Sequence, residues 1–166
     1  MTHTPESRNK LSKHLFKQKN LWSGILFGLG FAAFADEVIF HQLLHWHKFY
    51  DLSSTSVGLV SDGLFHAFSW FATVGSLYLV ADLRRRQGLW PKMWWSGKLL
   101  GAGGFQLYDG LIQHKLMRIH QIRYHVNIIY YDLIWNIIAV ILIIVGIYLY
   151  KKATLDAKIL EASNHV

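Results

Sequence analysis

The sequence predicts an all-α integral membrane protein: an up-down-up-down four-helix bundle built from a duplicated two-helix unit. Three observations lead to this fold class, namely four long apolar blocks, an internal repeat, and basic residues on one side of the predicted path. With 166 residues, of which 52% are hydrophobic and 15% aromatic, the chain suffices for one domain and is unusually apolar for a soluble protein.

Four mostly apolar blocks lie near residues 21–45, 57–81, 97–117 and 127–150. Each has about 20 or more residues, enough to cross a hydrocarbon core of about 30 Å at about 1.5 Å per residue. We therefore expect three parts in the chain: a basic cytoplasmic tail over 1–20, a four-helix transmembrane domain over 21–150, and a second cytoplasmic tail over 151–166.

The first and third blocks carry the internal repeat. Residues 28–47 recur 73 positions later as residues 101–120, with seven identities in twenty positions. The identities are Gly28/Gly101, Gly30/Gly103, Asp36/Asp109, Ile39/Ile112, His41/His114, Leu43/Leu116 and His47/His120. The second and fourth blocks match more weakly. The repeat units are expected at about 21–81 and 94–150, related by a pseudo-twofold axis along the membrane normal, because two crossings return the chain to its starting side.

The positive charge is distributed unevenly along the predicted path. The formal net charge is +7, and 13 of the 17 Lys and Arg residues fall in the two tails and around the middle loop. By the positive-inside rule, both termini and that loop are cytoplasmic. This placement favours a multi-pass membrane protein over a nucleic-acid-binding protein, with the lipid bilayer as its partner.

All four predicted helices place ionisable residues at one level, towards the extracytoplasmic side. Such groups are costly in apolar surroundings and indicate a functional site. The candidate metal ligands are His41, His66, His114, His120, Asp36, Asp62, Asp109 and Asp132, with His47 and His45 as weaker candidates. Asp36 and Asp62 are also the candidate catalytic residues.

Helical spacing tests which of these residues can share an ion. His41 and His45 are four residues apart, as are Asp62 and His66, so each pair can face one ion from a single helix face. By contrast, His41 lies about 140° from Asp36 on a straight helix. This pair can chelate one ion only if the helix bulges.

The chemistry of the candidate ligands restricts the metal. The chain has no cysteine, so thiolate ligands are excluded. Imidazole and carboxylate groups favour zinc, iron, manganese or copper(II) over calcium and magnesium. One or two ions are compatible with the set, in a metal-dependent membrane hydrolase or oxidoreductase or in a metal-handling protein.

Two further interpretations remain open at this point. Histidines from opposing helices can ligate haem, or the polar residues can form a structural network without metal. Four unpaired aspartates at the bilayer centre would cost roughly 10 kcal/mol, which disfavours a purely structural role. In the cytoplasmic half we expect dry apolar packing by Leu77, Leu79, Ile141 and Ile147.

The polar motifs also carry a family resemblance over most of residues 21–150. Its main pieces are Gly28-x-Gly30, Asp36 with His41-Gln-Leu-Leu, Asp62-Gly-Leu-Phe-His66-Ala, Asp109-Gly-Leu-Ile with His114 and His120, and Asp132. The chain resembles a family of small bacterial membrane proteins with a domain of unknown function, which implies the bacterial cytoplasmic (inner) membrane as its location. The resemblance implies, through an association with haem–copper oxidase assembly factors, copper delivery or assembly, with those components as partners. Arg118 and Asn136 replace His45 and His66 in the second copy, so we expect one asymmetric site.

Overall fold

The computed structural model describes residues 5–163, with side chains described from residue 12 onward. Its four long helices are α1 (Pro5–Asp36), α2 (Thr55–Arg85), α3 (Pro91–Tyr108) and α4 (Ile128–Ser163). Two π-helices, Glu37–Leu43 and Asp109–Met117, directly continue α1 and α3. The expected tails are helical where described, over 5–20 and 151–163, and their remaining residues lie outside the described part.

Three of the described helical segments are long and apolar enough to cross a membrane. They are Ser12–Leu43, Thr55–Arg85 and Ile128–Ser163. The last of these exposes apolar side chains such as Ile129, Ile137 and Ile144 along its length. Exposed apolar surface of this extent suits contact with lipid. The third apolar block of the sequence is not among these three segments. Its helix, α3, packs against both α1 and α4.

The two central helices, α1 and α3, touch through their backbones. Gly24 lies against Gly97, and a Cβ atom added at Gly28 would lie 1.9 Å from the carbonyl oxygen of Lys98. Residues further along α1 contact residues further along α3, so the two helices run parallel. Gly24 and Gly97 are 73 residues apart, which is the repeat spacing, so matching positions of the two helices meet. Only glycine permits so close an approach.

Each outer helix packs antiparallel to one central helix through a serine. Ser76 of α2 donates from its hydroxyl to the carbonyl oxygen of Ser23 in α1, at 2.6 Å. Ser96 of α3 donates in the same way to the carbonyl oxygen of Gly146 in α4, at 2.8 Å. Ser23 and Ser96 are again 73 residues apart, so corresponding serines lie at both helix–helix contacts.

The helices pack mostly through small residues, and the expectation that Leu77, Leu79, Ile141 and Ile147 form the core of the basic half is wrong. Leu77, Ile141 and Ile147 are 50%, 53% and 42% exposed, and Leu79 is half-buried. The buried small side chains are Ser23, Ser69, Ser76, Ser96, Ala72 and Ala139, and two larger ones, Leu83 and Met93, are fully buried at the basic end. Lipid is as apolar as leucine, so nothing drives leucine inward, whereas small residues allow helices to approach.

We predict that glycine at position 28 is required for the contact between α1 and α3. Gly28→Ala should lower the free energy of unfolding by about 1–3 kcal/mol, because its Cβ meets the backbone of Lys98. The matched control is Gly63→Ala in α2, where an added Cβ meets nothing within 4 Å. The control should be neutral or stabilising by up to about 1 kcal/mol, since alanine favours helix. Thermal unfolding in detergent compares them, and equal effects would contradict the prediction.

Candidate metal centre

Both π-helices supply the bulge that a straight helix lacks. Hydrogen bonds in a π-helix run from residue i to i+5, which brings residues five apart onto one face. His41 Nε2 lies 3.6 Å from Asp36 Oδ2, and His114 Nε2 lies 3.1 Å from Asp109 Oδ2. The Asp-x4-His spacing thus brings carboxylate and imidazole together in each copy. Single π-turns within helices are frequent at functional sites.

A second histidine of each copy lies in the loop that follows the π-helix. His47 Nδ1 donates to the carbonyl oxygen of Ile122 at 3.0 Å, and His120 Nδ1 donates to that of Phe49 at 2.9 Å. The two imidazole rings stack, with centroids 4.7 Å apart and planes 5° apart. Because a carbonyl only accepts, Nδ1 carries the proton, and each Nε2 keeps a lone pair for a ligand.

Six residues therefore form one buried Asp/His cluster. Its members are Asp36, His41, His47, Asp109, His114 and His120, each at most 5% exposed. Ring centroids are 4.4 Å apart for His41 and His47, and 4.7 Å apart for His114 and His120. Each copy thus contributes one aspartate and two histidines.

The cluster contains buried nitrogen atoms without a hydrogen bond. Among the described residues, Nε2 of His47 and Nδ1 of His114 have no hydrogen-bond partner. Nε2 of His41, His114 and His120 lies 3.6, 3.1 and 3.4 Å from a carboxylate oxygen, in each case without a well-aligned hydrogen bond. A buried polar atom left unpaired costs about 1–3 kcal/mol. Ligand atoms of Asp36, His41 and His47 lie within 4.8 Å of one another, as do those of His47, His114 and His120. These distances suit side chains converging on a cation.

Two carboxylates lie on the other side of the His41 ring. His41 Nδ1 is 2.8 Å from Glu37 Oε2 and 3.2 Å from Asp62 Oδ1. Asp62 also accepts from the backbone N–H of Phe49 at 2.6 Å, and Gln42 donates to Glu37 at 2.7 Å. A carboxylate at the second ring nitrogen orients a ligating histidine and raises its basicity. These three residues could also hold an ion themselves, since their ligand atoms lie within 4.8 Å.

The surroundings of His114 differ from those of His41. His114 Nδ1 is 3.9 Å from Asp132 Oδ1, and the other oxygen of Asp132 forms an ion pair with Lys115. Gly110 occupies the position that corresponds to Glu37. The first copy therefore has two carboxylates behind its histidine, whereas the second has one that is paired with a cation.

Two candidate ligands, His66 and His45, lie away from the cluster. His66 is on the exposed face of α2, with its ring 5.5 Å from that of Phe34. Because α2 packs on α1, Asp62 faces the cluster while His66 does not. His45 is exposed and has a left-handed backbone with φ of 49°, as has its counterpart Arg118 at 52°.

The sequence ranked His47 too low and did not select Glu37. His47 looked interfacial, but the chain turns back after the π-helix and buries it to 5% exposure. Its match with His120 in the repeat was the available signal. Glu37 is 1% exposed. Its match is Gly110, so the only signal was its spacing of four residues from His41.

The environment of His47 keeps its imidazole neutral. His47 lies in the loop beyond the membrane-spanning segment that ends at Leu43. Burial, followed by the neighbouring His41 and His120 rings, holds the pKa of His47 far below its ordinary value. Neutral imidazole is the form that ligates metals.

A polar cavity among the loops borders the Asp/His cluster. Its volume is about 470 Å³, and its lining includes His41, His47, Lys48, Asp51 and Tyr124. Water and small ions therefore have a route to the imidazoles from this end of the molecule.

Comparison with known proteins identifies a family. A family model described as a predicted membrane protein, DUF2243, matches residues 23–153, a range that includes every member of the Asp/His cluster. Comparisons with curated proteins and with solved structures give no match. The family resemblance inferred from the sequence is thus confirmed. The chain belongs to the DUF2243 family of predicted membrane proteins.

Proposed function

We propose that this protein is a membrane metalloprotein that binds two transition-metal ions. Each half of the chain supplies an Asp-His-His set that binds one of them. One set is Asp36, His41 and His47, and the other is Asp109, His114 and His120. The observation that carries the proposal is the convergence of two aspartates and four histidines, all buried. In the second set, Asp109 lies 3.1 Å from His114 Nε2 and 3.4 Å from His120 Nε2. A pair of ions would satisfy these nitrogens and balance the aspartates.

The donor set favours a metal with open coordination positions. Two imidazoles and one carboxylate form the ligand set of non-haem iron enzymes and, in a similar combination, of zinc hydrolases. Three protein ligands leave positions for water, dioxygen or a substrate. A metal-dependent enzyme, either hydrolase or oxidoreductase, is therefore the proposed role, with zinc, iron or copper as the metal. In this arrangement Asp36 is a ligand, while Glu37 and Asp62 orient His41.

The other interpretations fit the geometry less well. The His47 ring lies 4.4 Å from that of His41 and 4.7 Å from that of His120, centroid to centroid, which leaves no room for a porphyrin plane between these rings. A purely structural network would be expected to pair its buried nitrogens with protein groups. Copper delivery to oxidase assembly components requires release of the ion, and it stays a prediction of the family resemblance.

The proposed topology has four crossings and a duplicated unit. Its support is the contact between matching positions of the parallel helices α1 and α3, at Gly24 and Gly97. Further support comes from the basic end of the molecule, where Lys19, Arg85 and Arg86 bond to Asp82. We infer that this end is cytoplasmic, that α3 crosses between α1 and α4, and that the Asp/His cluster faces the extracytoplasmic side of a bacterial inner membrane.

We predict about two transition-metal ions per chain after reconstitution with zinc or iron(II), because each Asp-His-His set holds one. His47→Ala and His120→Ala should each remove about one ion, measured by elemental analysis of the purified protein. His66→Ala is the matched control and should keep the wild-type content, because His66 lies outside the cluster. Metal-free wild-type protein after reconstitution would refute the metal centre. Equal loss in His66→Ala would refute the ligand assignment.

A second prediction concerns the open positions. Cobalt(II)-substituted protein should show visible d–d absorption that shifts when azide is added, because azide occupies a position not filled by protein. His45→Ala serves as control and should leave the shift unchanged. A cobalt spectrum that azide does not alter would indicate closed coordination and would contradict the proposed enzyme.

The sidedness is tested with single cysteines, which are unambiguous because the chain has none. Ser53→Cys, in the loop at the cluster end, should react with a membrane-impermeant maleimide in intact spheroplasts. Ser163→Cys, at the end of α4, should react only after lysis, because the basic end is cytoplasmic. The reverse labelling pattern would contradict the topology.

A further inference from the structure

A second cavity, separate from the polar one, lies between α1, α2 and α3. Its volume is about 450 Å³, within the range typical of ligand sites. Most of its lining is apolar, including Leu29, Phe49, Leu64, Phe65, Phe68 and Phe105. Leu64 and Phe68 are 69% and 51% exposed, on a helix apolar enough to cross the membrane. The cavity therefore communicates with the lipid side of the protein.

The apolar cavity and the Asp/His cluster share a wall. The Phe65 ring lies 5.7 Å from that of His41, and the Phe49 ring lies 6.2 Å from that of His120. Phe49 also supplies the carbonyl that holds His120. A molecule in the cavity would thus be one aromatic layer away from the proposed metal ions.

One buried polar group lines the apolar cavity without a partner. Gln113 is 7% exposed, and its Oε1 makes no hydrogen bond within the described part of the chain. An amide oxygen accepts hydrogen bonds, so the missing partner is a donor. Gln113 immediately precedes His114 in the second π-helix, so the residue that lines the cavity and the residue in the Asp/His cluster are neighbours in the chain.

We propose that this cavity binds a membrane-soluble alcohol with one long apolar chain, whose hydroxyl group donates to Gln113 Oε1. The chain would lie among the aromatic side chains and reach the lipid between Leu64 and Phe68. A phospholipid headgroup is disfavoured because the described lining contains no Lys, Arg or His to pair with a phosphate. Use of the alcohol as a substrate rests on the proposed metal centre, whereas binding depends on the cavity alone.

Two glycines allow a matched test of the cavity. A Cβ atom added at Gly104, which lines the cavity, meets nothing within 4 Å, so Gly104→Leu fills the space without displacing protein. A Cβ atom added at Gly63 also meets nothing within 4 Å, and Gly63 is not among the lining residues. Gly63→Leu therefore adds the same side chain outside the cavity.

The experiment uses photolabelling in phosphatidylcholine nanodiscs. The probe is hexadecanol with a diazirine near the hydroxyl end, and its methyl ether is the comparison. Mass spectrometry should find cavity residues labelled, with the alcohol exceeding the ether about fivefold, as one neutral hydrogen bond permits. Gly104→Leu should reduce labelling about tenfold because its side chain occupies the cavity, while Gly63→Leu should not. Gln113→Leu should make the two probes label equally.

Metal content measured on the same samples separates the two proposals. Cavity labelling that persists in chelator-treated protein would support the binding site whatever the fate of the metal centre. Equal labelling of the wild type by alcohol and ether would overturn the alcohol assignment. Labelling that Gly104→Leu does not reduce, or that spreads equally over Ile137 and Ile141 of α4, would overturn the site itself.

Discussion

The backbone contact between α1 and α3 sets the geometry of the opposite end of the molecule. Glycines bring these parallel helices so close that no Cβ atom fits between them. The π-helices continue the same two helices, so they emerge side by side and their aspartates and histidines converge. Because lipid surrounds the outer faces, the energetic drive for this approach is close packing of small groups rather than burial of large apolar ones.

Helix number, membrane character and most of the polar cluster could be predicted from the sequence. The repeat marked Asp36, His41, His47 and their partners, because both copies retain them. The sequence could not say which face His66 occupies, since that depends on which face of α2 packs against α1. It also could not locate the serine-lined interior, because the pattern of large apolar residues in lipid-exposed helices does not mark the buried face.

The π-helices were the decisive local feature that spacing alone left undetermined. An Asp-x4-His pair diverges on an α-helix and converges on a π-helix, and helix propensity does not distinguish the two. The sequence showed only that the helix must bulge if Asp36 and His41 are to bind one ion. The sequence differences between the copies also did not locate the asymmetry. Replacement of His45 by Arg118 suggested an asymmetric site, yet both residues have a left-handed backbone conformation and lie outside the cluster. The asymmetry lies instead behind His41 and His114, where Glu37 and Lys115 differ from their counterparts.

The crossed bonds from His47 to Ile122 and from His120 to Phe49 tie each imidazole to the backbone of the other half. Neither half can orient its own second histidine alone. Each half therefore needs the backbone of the other half to hold its second histidine, as in a homodimer in which each subunit supplies residues to the site of its partner. Joining the two halves in one chain lets their residues diverge, so that His41 and His114 can have different carboxylate neighbours where a symmetric dimer would have identical ones.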